Sequence, residues 1–186
     1  EGIDHIAALN IVNTAKGTFF LADTLVNNHP SVETLEEIVK LTNDSVKIFN
    51  VDPVIAMLSY SNFGADNTGS PVTVHKAVEN LHKNHPEILV DGEMQVNFAL
   101  DKDLRSATYP FSKLEGKDVN TLIFPNLSSA NITYKTLLSM GLAENVGPVQ
   151  MGLKKPIYVC EPEASVRDIM NIVTIAVIDA QINGKK

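Results

Sequence analysis

The stretch Asp52-Pro53-Val54-Ile55-Ala56-Met57-Leu58-Ser59 decides the fold class. Residues 54–58 are apolar without interruption, and Asp52-Pro53 bars a helix from running into them. A run this short and apolar on both faces suits a strand covered on both sides. Such strands belong to parallel or mixed sheets lying between helices.

The same alternation recurs outward from this stretch. Upstream, residues 5–12 and 18–22 read as two strands joined at Thr14-Ala15-Lys16-Gly17. Pro30-Ser31 then opens a helix, with Ser31 as its N-cap and Val32, Leu35, Ile38, Val39, Val46 and Phe49 on the inward face. Downstream, Ser70-Pro71 is expected to cap a helix reaching about Asn84. Residues 88–90 form a short strand leading into a turn at Asp91-Gly92-Glu93, and 119–124 another buried strand ending at Pro125. Ser128-Ser129-Ala130 begins a further helix, with Ser128 or Ser129 as cap. Residues 146–151 and 157–160 read as two more strands, and Ser165 caps a last helix running to about Ile182. Strands alternating with helices predict an α/β fold, a layered αβα domain with a mixed, mostly parallel sheet.

Composition narrows the function classes. The 186 residues are 44% hydrophobic and 20% charged, which suits one sizeable globular domain and excludes a disordered or collagen-like chain. No apolar run approaches the roughly 18 residues that span a bilayer, and no leading segment reads as a signal peptide. The net charge is −7, and Lys154-Lys155 and Lys185-Lys186 are the only basic pairs, so no basic face for nucleic acid is expected. One cysteine, Cys160, cannot form an internal disulfide, which favours a reducing cytoplasm. A first residue of Glu1 and an abrupt apolar start lead us to expect a piece of a longer chain.

Ligands of open α/β sheets bind beyond the carboxyl ends of the strands. Three polar segments follow buried strands. Ser59, Ser61 and Asn62 could bind an anion through side chains and nearby N–H groups, or make an ordinary turn. Asp91 and Glu93 could act as a carboxylate pair but lack a third partner, so a hydrogen-bonded turn is the better reading. Asn126, Ser128 and Asn131 lie at a strand-to-helix junction. His75, His82 and His85 have no zinc spacing and read as surface residues. Cys160, at an expected strand end, has no histidine nearby in sequence. The last helix is apolar around most of its circumference and needs cover on more than one side.

Several blocks in order resemble the phosphate acetyl/butyryl transferase family: 54–61, Val90-Asp91-Gly92-Glu93-Met94-Gln95, Leu122-Ile123-Phe124-Pro125-Asn126-Leu127, 130–135, Gly147-Pro148 and Lys155-Pro156. The resemblance implies a two-domain fold with a coenzyme A thioester site in the interdomain cleft. Residues 1–160 would be the second domain, and 161–186 a helix packing on the missing domain or a partner subunit. Genuine transferases carry a Ser-Arg pair and a Gly-Cys-Ser run before the last helix, where this chain has Glu161-Pro162 and Glu163-Ala164-Ser165. A further arginine corresponds to Ser139, while Asp168 falls at an acidic catalytic position. Guanidinium groups bind phosphate bidentately and stabilise developing charge, so their loss argues against catalysis.

The pattern is more similar to the phosphotransacetylase-like domain of hybrid bacterial NADP-dependent malic enzymes. That resemblance implies a regulatory, oligomerising segment with no cofactor of its own, sensing acetyl-CoA or a related metabolite in a homo-oligomer. NADP and a divalent metal would serve the parent chain. Candidate ligand contacts are Ser59, Ser61, Asn62, Asn126, Ser128, Asn131, Lys154 and Lys155. The alternative is a phosphate acetyltransferase, in which Asp168 would be catalytic.

Overall fold

The computed structural model describes residues 5–153, 155, 157–160 and 164–183. Along them run β1 (Ala7–Thr14), β2 (Gly17–Ala22), α1 (Val32–Ile48), β3 (Ile55–Leu58), α2 (Gly69–Asn84) and β4 (Val90–Met94). Then follow α3 (Val96–Leu100), α4 (Lys102–Thr108), β5 (Thr121–Ile123), α5 (Leu127–Ser139), β6 (Ala143–Met151) and α6 (Val166–Asn183). The strands form one sheet in the order β4-β3-β5-β2-β1-β6. Pairing is parallel from β4 to β2, whereas β1 runs antiparallel to both β2 and β6. This is the expected α/β architecture with a mixed, mostly parallel sheet.

The run that predicted it behaves as its chemistry requires. Successive strand side chains point to opposite faces. Ile55 and Met57 enter a core with Leu35 and Ile38 of α1, Val74 and Val78 of α2, and Ile175 of α6. Ala56 and Leu58 enter a second core with Ala99 of α3 and Ala130 and Tyr134 of α5. Ser31 caps α1 as expected, its Oγ accepting the Thr34 N–H at 3.2 Å.

Four local expectations are corrected. The N-cap of α2 is Thr68, and its hydroxyl donates to Asp66 Oδ1 at 2.7 Å instead of capping. Ser70 and Pro71 lie inside the first turn, where the missing proline N–H would have no helical partner anyway. The cap of α5 is Asn126, whose Oδ1 accepts the Ser129 N–H at 2.9 Å, since Asn competes with Ser on equal terms there. Asp91-Gly92-Glu93 is strand, not turn, because partners on α2 and in distant loops satisfy both buried carboxylates. Residues 157–160 form no strand. β6 absorbs 143–151 as one longer strand, and the following segment leaves Ile157, Val159 and Cys160 exposed.

Gly92 has φ +145°, and a Cβ there would sit 2.5 Å from the Met57 carbonyl oxygen, so only glycine permits this approach of β4 to β3. α6 buries Ile172 and Ile175 but leaves Val166, Ile169, Met170, Val173 and Val177 exposed. No helix among the described residues is long and apolar enough to cross a membrane.

Candidate functional site

At the carboxyl ends of β3, β4 and β5 lies a cleft of 560 Å³ that contains Ser59 and Asn126 together with Tyr60, Gln95, Ser129 and Thr133. Ser59 Oγ accepts the Ser61 N–H at 3.3 Å, and Gln95 Nε2 donates to the Tyr60 carbonyl at 2.6 Å. Ser61 and Asn62 do not line the cleft. Ser61 is buried with Oγ accepting the Asp66 N–H at 3.0 Å, and Asn62 Oδ1 accepts the Gln95 N–H at 2.8 Å. These two side chains shape the loop. Tyr60 donates its hydroxyl to Asp66 Oδ2 at 2.9 Å, a bond that raises its pKa. Asp66 is held below the ordinary carboxylate range, first by the Thr68 hydroxyl and then by Tyr60.

Among its described lining residues the cleft holds no Lys or Arg, so an anion there would rely on hydroxyls, amides and the amino end of α5. Ser128 and Asn131 lie on α5 but line neither this cleft nor the one described next, and Lys155 is exposed. Lys154 lies outside the described residues.

A smaller cleft of 140 Å³ opens between α5, β6 and α6. It brings together Tyr134 and Lys135, Gly147-Pro148 and Asp168, three segments the sequence had singled out separately, with Asn145 beside them. Asp168 Oδ2 accepts the Ser165 N–H at 2.8 Å and the Ser165 hydroxyl at 2.6 Å. Ser165 Oγ in turn lies 3.2 Å from the Asp168 N–H. This reciprocal pair is a capping box that starts α6. The Ser165 hydroxyl, followed by its N–H, holds the Asp168 carboxyl below its usual range.

Arg167, next to Asp168 in sequence, is engaged by Glu144 through two bonds of 3.1 and 2.7 Å. Lys135 Nζ stands 5.4 Å from the Tyr134 ring centre. Asn145 Nδ2 donates to the Gly147 carbonyl at 3.3 Å, while its Oδ1 is buried in the wall with no partner among the described residues. That oxygen is an acceptor available to a ligand N–H or O–H. Ser139, at the end of α5, is exposed, and Glu161, Pro162 and Glu163 lie outside the described residues.

Sequence reasoning missed the buried polar links to β4. Glu93 is fully buried, with Oε1 accepting the Gly64 N–H at 2.7 Å and Oε2 3.0 Å from His75 Nδ1. His82 Nε2 lies 2.8 Å from the Val90 carbonyl. The only hint was that His75 and His82, seven apart on one helix, share a face that turned out to meet the sheet.

With both clefts defined, comparison identifies the lineage. The sequence model of the family described as Phosphate acetyl/butaryl transferase matches residues 1–177. The chain belongs to that family. Among curated relatives, the NADP-dependent malic enzyme of Escherichia coli is 39% identical over 182 residues, covering 97% of this chain and 24% of the enzyme. The phosphate acetyltransferase of Clostridium acetobutylicum is 35% identical over 167 residues, covering 89% of this chain and 50% of that protein. Among solved structures, the EutD phosphotransacetylase from Staphylococcus aureus superposes with a TM-score of 0.88 at 28% identity, over 96% of this chain and 55% of that one. This family member thus spans about a quarter of that malic enzyme and about half of the two transferases just named.

Proposed function

We propose that this transferase-family chain is a non-catalytic regulatory and oligomerisation domain of an NADP-dependent malic enzyme, and that it senses acetyl-CoA. The observation that carries the reading is the engagement of Asp168, the residue at the family's acidic catalytic position, in the cap of α6. Its cleft contains no arginine among the described lining residues, and Lys135 is the cation there. Acyl transfer to phosphate develops negative charge that needs preorganised donors, and removing one such donor typically costs about 10²–10³ in rate. The relatives agree in direction, since malic enzymes match at 39% and 38% identity over almost the whole chain. Malate decarboxylation in the rest of a cytoplasmic parent chain would use NADP and a divalent metal. Acetyl-CoA bound here would bias the arrangement of a homo-oligomer, with a coupling of about 1–3 kcal/mol typical of such systems.

A second reading, phosphate acetyltransferase, is favoured by the 35% identity to an enzyme of that name. One experiment separates the two. The full-length protein is assayed for NADP-dependent malate oxidation with and without acetyl-CoA, and for acetyl phosphate formation from acetyl-CoA and phosphate. Regulation predicts a malate rate that depends on acetyl-CoA and no acetyl phosphate. Acetyl phosphate formation that disappears in Asp168→Asn would establish the transferase instead. A malate rate indifferent to acetyl-CoA removes the sensing role.

A further inference from the structure

Two further cavities meet around the amino ends of β2 and β5, the first sharing Leu122 with the 560 Å³ cleft. The first, of 360 Å³, is walled by apolar side chains, with Val12, Leu21 and Leu122 buried at its base and Leu100, Leu137 and Leu142 around its mouth. The second, of 310 Å³, shares Lys16, Phe19 and Leu100 with the first and adds Lys102 and Lys117. Each falls in the range of small-molecule sites, about 300–1,000 Å³, and the pair has their usual chemistry of an apolar chamber with a few polar groups at one end.

The charge at that end is distinctive in a chain of net charge −7. Lys102 pairs with Asp118 at 3.0 Å. Among the described residues no carboxylate pairs with Lys16 or Lys117. The wall between them is also fixed in place. The wholly buried Arg105 donates to the carbonyls of Phe98 at 2.7 Å, Ala99 at 2.9 Å and Leu114 at 2.9 Å, and also to that of Lys117. One guanidinium therefore fastens Ala99 and Lys117, which both line the basic cavity, to a single frame. Preorganisation of this kind reduces the ordering cost of binding.

We propose that the paired cavities bind a medium-chain acyl group with an anionic head. The chain fills the leucine-walled chamber and the head lies between Lys16 and Lys117. A fully polar anion would leave the chamber unused, and an uncharged alkane would leave the lysines unused. The head is a free carboxylate, since the pantetheine arm of a coenzyme A thioester would carry its phosphates well past the adjoining basic cavity, which shares Lys16, Phe19 and Leu100 with the chamber.

Calorimetric titration of the full-length protein with decanoate and, in a separate arm, decanoyl-CoA tests the proposal. The expected result is one saturable site for decanoate. Its binding weakens about tenfold or more in the double variant Lys16→Glu/Lys117→Glu and is lost in Leu142→Arg. Leu142 is 53% exposed, so this substitution fills the chamber mouth without entering the core, and an unchanged unfolding midpoint verifies that each variant is folded. Saturable binding by decanoyl-CoA alone overturns the proposal. Absence of saturable decanoate binding overturns the proposal, as does binding indifferent to the lysine pair. It is equally overturned if neither probe binds and Leu142→Arg lowers the oligomer mass, since the chamber would then be covered by a second copy of the chain.

Discussion

Glu93 on β4 and His75 on α2 meet at 3.0 Å between Oε2 and Nδ1, with the glutamate fully buried and the histidine at the surface. The other glutamate oxygen holds the Gly64 N–H, and the Glu93 carbonyl accepts the Phe63 N–H at 2.8 Å. One residue thus ties a helix, a strand and the loop after β3 into the same corner.

Removing that side chain leaves the half-buried Gly64 N–H without an acceptor and a histidine without its anchor. Glu93→Ala is expected to destabilise the fold by about 2–3 kcal/mol, because an orphaned donor forfeits its desolvation cost. Glu93→Gln keeps an acceptor for Gly64 and should lose about half as much. Urea denaturation of the two variants measures both values, and equal losses would contradict the assignment.

Gly92→Ala should be far worse than its chemistry suggests. The added Cβ meets the Met57 carbonyl oxygen at 2.5 Å, and φ is +145°. We expect a loss of about 3 kcal/mol or more, or failure to fold. Gly116→Ala is the control, since it also has a positive φ, +67°, but nothing lies within 4 Å of the new atom. Its cost should be about 1 kcal/mol. Thermal unfolding distinguishes the two.

Arg105→Lys tests the guanidinium that gathers four carbonyls. Lysine keeps the charge, but its single nitrogen cannot reproduce the planar fork. At about 1.5–3 kcal/mol for each hydrogen bond to a charged group, loss of even two contacts should cost about 3 kcal/mol. Hydrogen exchange should then quicken at the amides of 98–117 before it does at β3.

The ends of α6 respond to pH in opposite directions. Asp168 is held below its ordinary value of 3.8, so its contribution is present above that pH and fades as pH falls through the lower folded value. Asp168→Ala should cost about 1 kcal/mol near neutrality, a typical capping loss, and nothing at strongly acidic pH. Tyr158 donates to Asp179 at 2.8 Å, and burial, with that bond second, raises its pKa well above the ordinary 10. Its contribution is therefore complete below pH 10 and is lost as pH rises towards the folded value. Tyr158→Phe should cost about 1 kcal/mol at neutral pH and remove the alkaline decline. Melting curves across the pH range check both signs.

The sheet was legible because its strands are apolar runs separated by strong helix signals. Ser31 at α1 was equally plain. The sequence was less informative where polar residues are buried. Asp91 and Glu93 look like turn residues because their partners, Ser112 and His75, are distant in sequence. Asn126 and Ser129 are both good caps, and only the path of the chain after Pro125 chooses between them. The two clefts were legible only in fragments. Ser59 and Asn126 do converge, but they lie 67 residues apart and no local pattern pairs them. The leucine-walled chamber had no local signal, since its walls come from three strands, two helices and loops between them.

The sheet order has a consequence for the chain as it is made. Among the described residues β1 is the first strand, and it lies between β2 and β6, with Ala7 opposite Met151. β2 arrives at once, through a two-residue hairpin turn, but the other border of β1 stays open until nearly all of the described chain has been synthesised. An unpaired strand edge is a template for pairing with other chains. During synthesis that open edge of β1 is therefore exposed to wrong pairing until β6 emerges.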